Sequence, residues 1–148
     1  MKVEVRYFTQ TGNTKKLADA IAGAIGCEAR DLSAPLDGRV DLLFLGSSVY
    51  AAGVAQQVKD FLAANKEKIG AICSFSTAAL LPSTYKQIGK IAAACGVTLL
   101  PEEFHCRGSF AFLHKGRPNE EDRKAAAEFA QSVVNRATAD AIRKETAK

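Results

Sequence analysis

The sequence predicts an α/β fold, a five-stranded parallel sheet with helices on both faces. Three observations lead there. Strand-like and helix-like hydrophobic patterns alternate five times along the chain. Two of the strand segments, Val40 to Ser47 and Ile69 to Phe75, are nearly continuous apolar runs, as expected of strands covered on both faces. The 148 residues make one ordinary domain, which can bury about 68–70% of the surface its unfolded chain exposes and needs no staple to hold a core.

Each element follows from its own pattern. Val3, Val5 and Tyr7 alternate with polar residues and lead into the loop Thr9-Gln10-Thr11-Gly12-Asn13-Thr14. Leu17, Ile21, Ala24 and Ile25 then recur at helical spacing, and Gly26 stands where a helix-terminating glycine belongs. Cys27 to Leu32 reads as a short second strand, and Ser33 to Arg39, with Pro35 and Gly38, as a connector. After the third strand, Val54, Val58, Phe61 and Leu62 mark a helix. After the fourth, Ile88, Ile91, Ala92 and Cys95 mark another, closed by Gly96, and Val97 to Phe104 is the fifth strand. Asn119 caps the last helix, whose first turn holds Glu120, Glu121 and Asp122, where carboxylates favour the dipole. Phe129, Ala130, Val133 and Val134 form its inner face. Residues 1–136 read as the domain, and 137–148, Ala-rich and without an apolar stripe, as a polar helical extension or tail.

Composition excludes several classes. Hydrophobic residues at 47% and charged residues at 24% are globular values. No window approaches the ~18 consecutive apolar residues of a membrane span, and Met1 to Phe8 holds no apolar run of a secretory signal. Cys27, Cys73, Cys95 and Cys106 form no Cys-x-x-Cys pair, so free thiols in a reducing cytoplasm are expected. The net charge of +4 is spread without a run of five, so a nucleic-acid partner is not expected.

The chemistry concentrates in the loop Thr9 to Thr14. It joins the first strand to the first helix, and ligands of open parallel sheets bind outside the carboxyl ends of the strands. Its hydroxyls, amides and the N–H groups of a helix N-terminus are neutral donors suited to a phosphate, and Gly12 lets the backbone come close to an anion. Neither a dinucleotide fingerprint nor a nucleotide-triphosphate loop is present. The same residues would also make an ordinary capped turn followed by two solvated lysines, Lys15 and Lys16.

Phe8 to Thr14 resembles the phosphate loop of the flavodoxins, Ser/Thr-x-Thr-Gly-Asn-Thr. The resemblance continues through Asp41-Leu-Leu-Phe-Leu-Gly-Ser-Ser-Val-Tyr50, Phe104-His-Cys-Arg-Gly108 and Pro118-Asn-Glu-Glu-Asp122, covering Lys2 to about Val134. The fifth-strand region has no room for a long insertion, so the chain resembles the short-chain members. The resemblance implies a flavodoxin-like three-layer sandwich with strand order 2-1-3-4-5 and FMN as cofactor. Thr9, Gln10, Thr11, Gly12, Asn13 and Thr14 would hold the phosphate. Ser47, Ser48, Val49, Tyr50, Ala51, Ala52 and Gly53 would wrap one side of the flavin, with Tyr50 stacking on the ring. Ser76, Thr77, Ala78 and Ala79 would form the second flavin loop. That loop lacks the tyrosine many flavodoxins stack there, and Leu80 or Leu81 is the candidate cover. Acidic residues around the ring of flavodoxins disfavour the reduced flavin anion. Residues 47–57 and 74–85 contain no charge, so the two one-electron potentials should lie closer together than in an acidic flavodoxin.

The implied function is electron transfer between a reductase and a redox enzyme, with no catalytic side chain, because the flavin carries the chemistry. An alternative is a small FMN-dependent oxidoreductase acting on a quinone or porphyrin-type acceptor. A third is a module that keeps the fold without the flavin. The protein is expected to be a monomer or weak dimer. Its basic balance departs from the acidic flavodoxins and points to an acidic, neutral or apolar partner surface. His105 beside Cys106 is not a metal pair, since neighbours on a strand point to opposite faces. The short connector Ser33 to Arg39 is expected to leave one face of the first strand bare, with Glu4, Arg6, Glu28 and Arg30 solvent-facing in cross-strand charge contacts.

Overall fold

The structure, a computed structural model, describes residues 1–9, 11–49, 56–78, 84–108 and 116–146. Five strands form one parallel sheet: β1 (Val3–Tyr7), β2 (Ala29–Asp31), β3 (Val40–Val49), β4 (Ile69–Ala78) and β5 (Thr98–Arg107). Their order is β2-β1-β3-β4-β5, as expected. The helices are α1 (Asn13–Ile25), α2 (Gln56–Asn65), α3 (Tyr85–Cys95) and α4 (Glu120–Thr146), with a 3-10 turn at Lys66–Lys68.

Side-chain alternation along the strands divides the core in two. Val5, Tyr7, Leu42, Phe44, Cys73 and Phe75 meet Leu17 and Ile21 of α1 and Ala126, Ala130 and Val133 of α4. Leu43, Leu45 and Ile72 meet Val58, Phe61 and Leu62 of α2 and Ile88 and Ala92 of α3. The helix ends are the expected ones. Gly26 and Gly96 cap α1 and α3 at φ 76° and 71°, a conformation that costs other L-residues roughly 1–2 kcal/mol. At α4, Asn119 Oδ1 accepts from the Asp122 amide and Asp122 Oδ2 from the Asn119 amide, each at 2.9 Å. This is a reciprocal cap. Burial works against the Asp122 carboxylate, but hydrogen bonds from Arg117 and from the Asn119 amide outweigh it and hold its pKa below the ordinary value. The α4 helix runs unbroken to Thr146, with every side chain from 138 to 146 exposed.

Several boundaries differ from expectation. The strand β2 is shorter, three residues at the sheet edge, while β3, β4 and β5 run two or three residues further than their apolar runs. Val54 lies outside the described residues.

One expectation is overturned. The face of β1 opposite α1 is not bare, and Arg6 is buried, 2% exposed. The connector folds over it without forming a helix. Arg6 Nε donates to the Ala34 carbonyl at 2.9 Å and Nη2 to the Pro35 carbonyl at 3.1 Å, while Nη1 reaches Glu4 at 3.0 Å and the Val5 carbonyl at 3.1 Å. Lys68 Nζ holds the Leu36 carbonyl at 3.0 Å and Lys2 Nζ the Asp37 carbonyl at 2.6 Å. Leu36 itself enters the α2/α3 core. A guanidinium carries five donors, enough to satisfy the acceptors of a short irregular segment that has no ladder of its own. Glu28 and Arg30 do stay in solvent, 3.8 Å apart. Both charge pairs run along a strand and not across strands.

Candidate functional site

The carboxyl ends of β1, β3 and β4 and the first turn of α1 form the site. Gly12 takes φ 88° and ψ −3°. A Cβ there would meet nothing within 4 Å, so the left-handed backbone is what calls for glycine. Thr9 Oγ1 accepts from the Gly12 amide at 3.0 Å, which closes the loop. The α1 N-terminus has no side-chain cap and no acidic residue in its first turn. Its first amides lie beyond the helix's own hydrogen-bond ladder, and the helix dipole adds partial positive charge there. The first turn is anchored from below. Asn13 is 5% exposed and Thr14 is fully buried, and the hydroxyls of Thr14 and Thr77 lie 2.9 Å apart.

Two glycines that sequence reasoning missed allow this approach. A Cβ on Gly46 would fall 2.3 Å from the Phe75 ring and 2.9 Å from Thr14 Cγ2. One on Gly108 would fall 3.1 Å from Asn13 Nδ2 and from Thr77 Cβ. Their role depends on contacts far apart in the chain, and no local signal marks it.

The remaining expected residues separate by strand alternation. Ser47 pairs in register with Ser76, Ser48 with Thr77 and Val49 with Ala78. Ser48 and Thr77 share the α1 face. Ser47 and Ser76 are fully buried on the other face, where Ser47 Oγ donates to Thr84 Oγ1 at 2.9 Å and Ser76 Oγ accepts from the Thr84 amide at 3.3 Å. Thr84, the residue before α3, was not among the expected ones. Ser47 and Ser76 therefore tie the start of α3 to the sheet. The Ala78 carbonyl accepts from the Gly108 amide at 3.3 Å and holds the end of β5 beside the site. Thr11 is exposed at the loop's crest. Gln10, Tyr50, Ala51, Ala52, Gly53, Ala79, Leu80 and Leu81 lie outside the described residues, as does the side chain of Val49.

Around the site, Lys15 pairs with Asp19 at 2.7 Å, which raises its pKa. His105 Nδ1 lies 2.9 Å from Glu103 Oε1 on a half-exposed face, and Cys106 points into the α1/α4 core.

No family model matches the sequence, and no curated protein matches it. Solved structures do. A flavodoxin from the domain Archaea superimposes with a TM-score of 0.73 at 16% identity, over 93% of this chain and 99% of that one. A short-chain flavodoxin associated with a PDU bacterial microcompartment gives 0.70 at 18%, over 93% and 99%. A flavoprotein in complex with FMN from Lactobacillus acidophilus gives 0.57 at 20%, over 72% and 92%. At these identities the likeness is one of architecture, and together with the strand order it establishes that the chain has the flavodoxin fold.

Proposed function

We propose that the protein belongs with the short-chain flavodoxins, binds FMN and carries electrons between a reductase and an acceptor enzyme. The observation that carries this reading is the first turn of α1: uncapped, free of acidic residues, opened by a left-handed Gly12 and seated on the buried Thr14–Thr77 pair. These residues fit a phosphate monoester. Thr9, Thr11 and Asn13 with the helix amides would hold it, and Gly12 would keep the backbone close. Bound flavin supplies the redox chemistry, and the chain supplies binding, orientation and tuning. The FMN complex of the structural neighbour supports this choice of cofactor. The uncharged stretches 47–57 and 74–85 support closely spaced one-electron potentials, read by potentiometric titration. The free thiols support a reducing, cytoplasmic setting. Among the described residues, no helix is long and apolar enough to cross a membrane.

The test is titration of the purified chain with FMN, followed by quenching of flavin fluorescence. The expected result is saturation at one FMN per chain, with binding weakened at least tenfold in Gly12→Val. That substitution forces a β-branched residue into a left-handed backbone. Riboflavin, which lacks the phosphate, should bind much more weakly. Equal binding of riboflavin and FMN would refute the phosphate site. Substrate-stimulated turnover with a quinone would favour the oxidoreductase reading over the carrier.

A further inference from the structure

An open groove of about 400 Å³ lies between α2 and the segment after β2, in the size range of roughly 300–1,000 Å³ typical of ligand pockets. It exists because the β2–β3 connection contains no helix. The connector covers β1 but leaves the flank of α2 uncovered. Phe8, Leu32 and Phe61 give the groove an apolar lining, and Asp31, Gln57 and Asp60 its polar one. The carboxylates are oriented from within: Asp31 Oδ1 accepts from the Ser33 amide and Asp60 Oδ1 from Gln56 Nε2, both at 2.9 Å. One wall is held by Arg6 through the Ala34 and Pro35 carbonyls, so the groove is preformed. No lysine or arginine is among its described lining residues, although the whole chain carries +4.

We propose that this groove docks a segment of a partner protein presenting one arginine between apolar residues. The charge and the lining select that occupant. A planar guanidinium can serve two carboxylates and lie against an aromatic ring at the same time, which an ammonium does less well. Apolar neighbours of that arginine would cover Leu32 and the exposed edges of Phe8 and Phe61. A second copy of this chain is the competing occupant. Ile142, which is 58% exposed, stands beside Arg143 near the end of α4, but Arg143 already pairs with Asp140 at 2.8 Å in its own helix. The inference stands apart from the flavin reading, since neither Asp31 nor Asp60 belongs to the phosphate site.

The experiment titrates the isotope-labelled full chain, followed by amide NMR shifts, with a blocked peptide holding one central arginine among leucines and alanines. A twin peptide carries glutamate in place of the arginine. Saturable shifts at Phe8, Asp31, Leu32 and Gln57 through Phe61 are expected, with the arginine peptide at least tenfold tighter than its twin. Asp31→Asn/Asp60→Asn should weaken it at least tenfold while leaving the circular dichroism and the FMN titration unchanged. Four results would each overturn the proposal. They are no saturable shift at millimolar peptide, shifts centred elsewhere (for example at Lys16, Arg123 and Lys124), equal affinity of the twins, or unweakened binding by the double variant. Self-association of the full chain in sedimentation, abolished by Arg143→Glu, would assign the groove to a second copy and overturn it as well.

Discussion

Replacing Arg6 with methionine removes four hydrogen bonds and the charge partner of Glu4 while keeping most of the side chain's volume. Hydrogen bonds to charged groups contribute about 1.5–3 kcal/mol each, and removing one member of a buried ion pair costs about 3–5 kcal/mol. Two features place Arg6 at the low end. The Glu4 side chain keeps 22% of its surface in water, and Pro35 is exposed, so solvent can reach part of what the guanidinium leaves. We expect a loss of about 3 kcal/mol, a large share of the roughly 5–15 kcal/mol by which domains are stable. In urea, with a slope of about 2 kcal/mol per M, the unfolding midpoint should fall by about 1.5 M. Equilibrium unfolding followed by circular dichroism reads this directly. Adding Glu4→Gln to Arg6→Met should recover about 1 kcal/mol, because it removes a carboxylate left without its cation. If Arg6→Met stays within about 0.5 kcal/mol of the native protein, the connector is held by burial of Leu36 and not by the guanidinium.

Gly46→Ala should destabilise by about 1–3 kcal/mol through overpacking, since its Cβ would collide with the Phe75 ring and Thr14; an unchanged melting temperature would contradict the packing described. Burial, with help from Glu102 and Asp122 respectively, pushes the Cys73 and Cys106 thiols up to about 12. In the native protein at pH 8, a disulfide reagent should therefore label Cys27 and Cys95 first, and mass mapping of the products would show any early reaction at the buried pair. The folded pKa of Asp122 lies below its ordinary value, so its contribution is present above the unfolded pKa of about 3.9 and is lost as pH falls through the folded value. The stability gap between the native protein and Asp122→Asn should be full at pH 7 and close in that acid window, as acid titrations of both proteins would reveal.

Much of the architecture is legible residue by residue. The apolar runs of β3 and β4, the helical spacing that ends at Gly26 and Gly96, and the Asn119–Asp122 cap are local patterns with local causes. The loop from Thr9 to Thr14 is legible for the same reason: its glycine and its short polar side chains act within a few residues of one another.

What periodicity did not reveal is where polar residues lie inside. The ends of β3 and β4 read as loops because they carry serines and a threonine, yet those hydroxyls pair beneath α1 and α3 and the strands continue. Arg6 reads as a surface charge because its acceptors, the Ala34 and Pro35 carbonyls, come from a segment that no pattern places over β1. The sequence by itself determined the order of the elements, their capping and the anion-facing loop, because those depend on neighbours within a turn or two. Only the tertiary structure decided which polar groups could be buried. A buried donor must find an acceptor, and for Arg6 and Thr14 the partner lies 28 and 63 residues away along the chain.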